Sequence, residues 1–256
     1  MFAKPFPPEK LANVGADGFV SAADVLFLRR MAFKDGVVST EELDALFTLA
    51  GRAPDGDPEW GQFFEEAACD FYLNEEEPKG YFTSGEFETL KARVTRDGAT
   101  ASGIELRLMV KLLENAAETP PDMRAFVGDQ MRQRFLREGG VARSQVDLLR
   151  RFIFAKGGEG NIDVTRAEAE LLLDLNDASG GVGNDPSWTE LFVKSLAAHM
   201  MAHSGYRALS REEARRLHEF ASDHKADIGG FFSKMLKGGL NGFRKDEPSP
   251  QAERNT

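Results

Sequence analysis

Val25-Leu26-Phe27-Leu28-Arg29-Arg30-Met31-Ala32-Phe33 and Val146-Asp147-Leu148-Leu149-Arg150-Arg151-Phe152-Ile153-Phe154 are two versions of one amphipathic stretch, 121 positions apart (25 to 146). Outward from them the correspondence continues. Glu42-Leu43-Asp44-Ala45-Leu46-Phe47-Thr48-Leu49 matches Glu168-Ala169-Glu170-Leu171-Leu172-Leu173-Asp174-Leu175, 126 positions on (42 to 168). Asp57-Pro58-Glu59-Trp60 matches Asp185-Pro186-Ser187-Trp188, 128 on (57 to 185), each before a Phe-containing apolar helix. Gly80-Tyr81 matches Gly205-Tyr206, 125 on (80 to 205). The order is kept, the offset drifts by a few residues, and both tryptophans of the chain fall at matched places. The chain reads as one module written twice.

Inside each copy the spacing is helical. Val25, Leu28, Met31 and Ala32, and then Leu43, Leu46, Phe47 and Ala50, recur at i, i+3, i+4 and i+7. Helix starts carry a hydroxyl followed three residues later by an acid: Ser21/Asp24, Ser39/Glu42, Thr83/Glu86, Ser102/Glu105, Thr165/Glu168 and Ser210/Glu213. The hydroxyl accepts from the third helical N–H and the acid reaches back to the cap N–H. Asp57-Pro58 and Asp185-Pro186 read as an N-cap followed by a first-turn proline. No stretch alternates long enough to propose a strand. The spacing predicts an all-α fold of two diverged modules packed together, with helices near 22–34, 40–51, 58–74, 84–95, 102–117, 121–137, 143–155, 166–177, 187–203 and 211–222.

The expected divisions are an N-terminal segment (1–20), a first module (21–138), a second (139–228), an amphipathic segment (229–243) and a disordered tail (244–256). Helix 121–137 is placed to bridge the modules.

Composition sets limits. The 256 residues carry 42 acidic and 32 basic side chains, a net charge of −10, which argues against nucleic-acid binding. No apolar run approaches the ~20 residues that span a bilayer, and the first residues lack the apolar core of a signal peptide. Cys69 is the one cysteine, so no internal disulfide forms, and a cytoplasmic location is expected.

The recurring turn is Asp-Gly-x-Φ-Ser/Thr-x-x-Glu, where Φ is apolar, clearest at Asp35-Gly36-Val37-Val38-Ser39-Thr40-Glu41-Glu42. Its glycine and final acid match the second half of an EF-hand loop. The best loop by that count runs Asn13, Gly15, Asp17, Gly18, Phe19, Ser21, Asp24, with no ligand at the third position and Asp where a bidentate Glu is usual. The loop around Gly36 puts Met31 and Phe33 at ligand positions, and that around Gly80 offers Glu75, Glu77 and Glu86 but has Lys79 at the fifth place. The same hydroxyls and acids read equally as capping boxes of helix–turn–helix connections.

Residues 26–113 also resemble the tellurite-resistance TerB-like domain, on the segments Arg30 to Leu43 and Asp97-Gly98-Ala99-Thr100-Ala101-Ser102-Gly103-Ile104-Glu105. The two-copy layout, with Asn184-Asp185-Pro186-Ser187-Trp188 running on to Lys194, resembles an uncharacterised bacterial family. The TerB resemblance implies an all-helical fold, a role in a stress response and an acidic site for a divalent cation, Ca²⁺ or Mg²⁺, at Asp35, Glu42, Asp97 and Glu105. The second module departs from it, because Gly157-Gly158-Glu159-Gly160-Asn161-Ile162 replaces the Asp-Gly turn.

Other patterns read as structural. His199 and His203 share a helix face at zinc-chelating spacing, but Met200 stands where a His-Glu-x-x-His site needs its glutamate. The glycine clusters at 157–160 and 180–183 lack the Gly-Lys-Ser/Thr of a phosphate loop. Cys69, between Ala68 and Phe71, packs as a small apolar residue. Glu75-Glu76-Glu77 reads as a solvated connection. In the tail, Phe232, Met235 and Leu236 form a stripe flanked by lysines that either folds onto the second module or meets a membrane surface or partner. The expectation is a non-enzymatic binding or scaffold protein with a protein partner. The alternatives are a Ca²⁺/Mg²⁺-responsive sensor and an enzyme without a legible motif.

Overall fold

The computed structural model describes residues 13–32, 37–155, 164–180 and 183–203, with 211, 212 and 215. Asp35, the 157–162 turn, the Gly205-Tyr206 match, most of the helix expected over 211–222, and the segments 229–243 and 244–256 lie outside the described residues.

The chain is predominantly helical, as the spacing predicts. The helices are α1 (Ala22–Ala32), α2 (Thr40–Arg52), α3 (Pro58–Asp70), α4 (Ser84–Val94), α5 (Gly103–Asn115), α6 (Met123–Glu138), α7 (Arg143–Ile153), α8 (Arg166–Ser179) and α9 (Pro186–His203). Each follows from its own sequence. In α2, Ser39 caps the start, Leu43, Leu46, Phe47 and Ala50 form the buried stripe, and Pro54, two residues beyond Arg52, prevents continuation. Gly180 in the left-handed region (φ 55°) stops α8.

Two features lie outside the helical expectation. A two-residue parallel bridge joins β1 (Phe19–Val20) to β2 (Asp55–Gly56), with Val20 opposite Gly56. It is too short for any alternation to show. The helix expected over 58–74 ends at Asp70 and continues as a π-helical turn over Phe71–Glu75, closed by the Glu76 N–H on the Phe71 carbonyl at 3.2 Å. Three consecutive residues, Phe71, Tyr72 and Leu73, are buried there. The wider turn lets Tyr72 meet Phe71 and Phe82 edge-on at 5.3 and 5.2 Å.

Packing radiates from α3 and α9. Helix α3 lies against α1, α2 and α5, and α9 lies against α7 and α8. Helix α5 also packs on α7, while α6 packs on α5 and α8, so one apolar cluster runs from Val14 to Leu196.

The matched segments make matched contacts. The Asp57 N–H donates to the Val20 carbonyl at 3.0 Å and the Asp185 N–H to the Val141 carbonyl at 2.8 Å. Trp60 and Trp188 are buried, each with its ring 5.7 Å from an aromatic four residues on, Phe64 and Phe192. Their indole N–H groups find different acceptors: the Ala53 carbonyl at 3.2 Å and Asn176 Oδ1 at 3.3 Å. Asp57 does not cap its own helix. Its carboxylate accepts from the Ala22 N–H at 2.7 Å, at the first turn of α1. Asp185 caps α9, accepting from the Ser187 N–H at 2.9 Å and hydroxyl at 2.5 Å.

The bridge explains one glycine. A Cβ on Gly56 would lie 2.7 Å from the Val20 carbonyl oxygen and 2.8 Å from the Trp60 ring, neither free to move. One on Gly61 would meet only the guanidinium end of Arg107 and Ile104 at 3.5 Å. Gly56→Ala is therefore expected to cost about 1–3 kcal/mol in a urea melt. Gly61→Ala should stay within about 1 kcal/mol of the native chain, because helix propensity offsets the displaced surface pair of Arg107 with Glu65.

Candidate functional site

The acids that resemble metal ligands sit first at helix starts. Glu42 is buried; its Oε2 accepts from the Ser39 N–H at 3.0 Å and its N–H donates to Ser39 Oγ at 3.2 Å. Glu105 repeats this, accepting from the Ser102 N–H at 2.8 Å and donating to Ser102 Oγ at 3.4 Å. Thr83/Glu86 and Thr165/Glu168 form the same reciprocal pair. Ser21/Asp24 forms a shorter version. Arginines reinforce these ends. Arg96 Nη2 lies 3.9 Å from Glu105 Oε1 and also donates to the Phe47 carbonyl.

Of the four residues implied by the TerB resemblance, Glu42 and Glu105 are thus in caps. Asp97 lies in the 3-10 turn Arg96–Gly98, where Gly98 takes φ 69°, and Asp35 lies outside the described residues. In the EF-hand-like loop, Gly18 at the sixth position has φ 86°. Asp17 there accepts from the Phe19 N–H at 3.1 Å, and Asp24 accepts from the Ser21 N–H and hydroxyl at 3.0 and 2.7 Å. Both carboxylates point into their own turn. Among the described residues, no three His, Cys, Asp or Glu side chains converge on a point where a metal ion could sit.

One electrostatic assembly joins three helices. Arg124 of α6 donates from Nε to Glu168 Oε1 at 2.6 Å and from Nη2 to the Phe152 and Ile153 carbonyls at 2.8 and 2.9 Å. One guanidinium thereby closes the end of α7 and steadies the cap of α8, at a carboxylate 3% exposed. Sequence spacing offers no sign of it, since Arg124 lies 44 positions from Glu168.

His199 is buried, and its Nδ1 lies 2.7 Å from the Val164 carbonyl. A carbonyl only accepts, so that nitrogen carries the hydrogen. Cys69 packs in the core, where burial pushes its thiol up to about 12. Burial likewise raises the Tyr72 phenol to about 12, against the opposing pull of Arg93, which donates to its oxygen at 2.8 Å.

Cavities open between the helices. A cavity of about 580 Å³ lies beside the π-helical turn, where Lys111 and Asn115 of α5 face Asp70 and Asn74. A groove of about 380 Å³ runs between α7 and α9, lined by Arg143, Arg150, Phe154, Leu191 and Lys194. At its rim Lys194 donates to Glu190 at 2.5 Å and holds that carboxyl below its ordinary range. Asp185, hydrogen-bonded by Ser187, is lowered in the same way.

Compared with protein-family models, with curated proteins and with solved structures, the chain matches none. The likeness to TerB-like domains rests on the turn segments alone.

Removing a cap hydroxyl leaves one helix N–H unsatisfied, so Ser39→Ala and Thr165→Ala should each cost about 1 kcal/mol in denaturant melts. The capping geometry makes that loss the same in millimolar Ca²⁺ and in EDTA. A native melting midpoint several degrees higher in Ca²⁺, abolished by Glu42→Gln, would instead assign Glu42 to a cation.

A thiol held up to about 12 is almost wholly protonated at pH 8, and only the thiolate is reactive. Cys69 should therefore react with an aromatic disulfide reagent far more slowly in the folded chain than in urea. A stopped-flow burst from the folded chain would contradict its burial.

Proposed function

We propose that the chain is a binding protein of TerB-like type, built from two diverged copies of one helical module. The observation that carries the module reading is the pair of hydrogen bonds at Asp57–Val20 and Asp185–Val141. Their partners are offset by 128 and 121 positions (57 to 185, 20 to 141), the offsets at which the sequences themselves align. The recurrence of the Trp–Phe contact at i, i+4 supports the same reading. A binding role is supported by where reactive groups are placed. Glu42, Glu86, Glu105 and Glu168 close helix ends, His199 holds a backbone carbonyl, and Cys69 is buried, with its thiol pushed up to about 12. The groups that face solvent line grooves between helices. A stress-response setting follows from the resemblance only.

The module reading is tested by an experimental structure in which residues 20–31, 40–52 and 57–67 are superposed on 141–152, 166–178 and 185–195. Trp60 and Trp188 should coincide, and placement of the two indoles in unrelated surroundings would refute it. The binding reading is tested by affinity purification of the full chain from its native cells, in Ca²⁺ and in EDTA. A protein retained in stoichiometric amount under both conditions is the expected result. Retention in Ca²⁺ alone would favour the sensor, and no retained protein would count against a binding role.

A further inference from the structure

The grooves between α1 and α3 and between α7 and α9 correspond, and they differ in what crosses them. Across the first, Arg29 Nη2 lies 2.7 Å from Glu66 Oε2, and the guanidinium rests 5.3 Å above the Phe63 ring. The residues 121 and 128 positions on are Arg150 and Lys194 (29 to 150, 66 to 194). The bridging carboxylate has become a second cation.

Among the described residues, Arg150 and Lys194 form their ion pairs on their own helices, and the pair that joins α7 to the start of α9 is Arg143 with Asp185. Arg150 lies 3.3 Å from Asp147 and Arg143 lies 3.2 Å from it, both on α7. Lys194 lies 2.5 Å from Glu190 on α9, and Arg143 is also 3.9 Å from Asp185. These pairs are solvent-exposed, with Lys194 71% accessible, and water screens them strongly. Inside the rim, Phe154 is 47% exposed beside the buried Leu191. An open aromatic ringed by exchangeable cations combines an apolar anchor point with anion recognition.

We propose that the α7/α9 groove receives an acidic segment of a partner protein: one carboxylate sits between Arg150 and Lys194, as Glu66 sits against Arg29, and an adjacent apolar side chain packs on Phe154. This rests on the two-module reading. An incoming carboxylate exchanges with Asp147 and Glu190 for the same cations, so the groove needs no net positive charge of its own. The net charge of −10 on the whole chain repels an extended polyanion more than a short acidic segment, which separates this site from a nucleic-acid surface.

The test uses the full chain and a fluorescein-labelled peptide of Asp and Glu around one Phe, read by fluorescence anisotropy. The native chain should bind it, more weakly as salt rises. The Asn/Gln counterpart should bind at least about tenfold more weakly, as expected where charge complementarity carries recognition. Lys194→Glu, which restores the carboxylate of the first groove, should weaken binding by at least about tenfold. Phe154→Ser, at an exposed position, should do the same should Lys194→Glu unfold. Arg29→Ala should leave binding unchanged. Equal binding of the amide peptide, insensitivity to both groove variants, no binding at all, or displacement of the peptide by a DNA oligonucleotide would each overturn the proposal. If the superposition of the two modules succeeds while the peptide fails, the groove assignment falls and the module reading stands. If the peptide binds and the superposition fails, the reverse holds.

Discussion

A helix of 11 to 18 residues leaves four N–H groups and four carbonyls without partners at its ends. In a fold made of such helices, those ends are a large share of all the backbone, and many meet inside the core. Their satisfaction is the constraint on which the architecture depends. At N-termini the chain uses a buried acid folded back on a cap residue, at Glu42, Glu105 and Glu168. At the C-terminus of α7 it uses an arginine from another helix, Arg124, which donates to the Phe152 and Ile153 carbonyls. Arg96 likewise donates to the Phe47 carbonyl within α2, and Arg52 to the Val14 carbonyl before β1. An ion pair between such an arginine and such an acid joins two helix ends and closes the core around them. Removing either partner would leave a buried charge or an orphaned backbone group, which is dearer than the loss of the pair alone.

What was legible in the sequence follows from this. A cap box is local, spanning three residues beside a 3.6-period stripe, so the starts of α2, α4, α5 and α8 could be placed within a residue of where they lie. The start of α7 was placed without recognising its cap. There Ala142 carries no hydroxyl, yet Gln145 still reaches back to its N–H at 2.7 Å, a half-box at the positions matching Ser21 and Asp24. The β1–β2 bridge and the arginine ties depend on partners dozens of residues away, and no local pattern encodes them. The candidate acids show the limit most clearly. Hydroxyl, two residues and glutamate is the same string whether the acid caps a helix or faces a cation. In the structure the Glu42 and Glu105 carboxylates each lie within hydrogen-bond distance of their cap N–H, as a capping box requires.

Under the proposed two-module reading, matched positions differ in polarity. Ala67 and Phe71 are buried apolar residues in the first; 128 positions on stand Ser195 and His199, equally buried (67 to 195, 71 to 199). His199 meets a backbone acceptor, while Ser195 Oγ has no hydrogen-bond partner among the described residues. An unsatisfied buried hydroxyl costs about 1–3 kcal/mol. The first half carries the fully apolar version of this packing, with Phe64 against Phe47 and Trp60, and Phe63 against Trp60.

Polarity in the core and charge reversal on the surface fall in the same half, on the same helix. Ser195 and His199 face inward from α9, while Lys194 faces out across its groove in place of a bridging glutamate. The cross-groove pair of Arg29 with Glu66 ties α1 to α3 outside the core. Without its counterpart, α7 and α9 are held together by their buried faces, by the hydrogen bonds of Val141 with Asp185 and Asn184, and by Arg143 at 3.9 Å from Asp185. Arg150 and Lys194 pair on their own helices, so a side chain can enter between them at little structural cost. The same substitution that removes the tie therefore supplies the cation that such a side chain would meet.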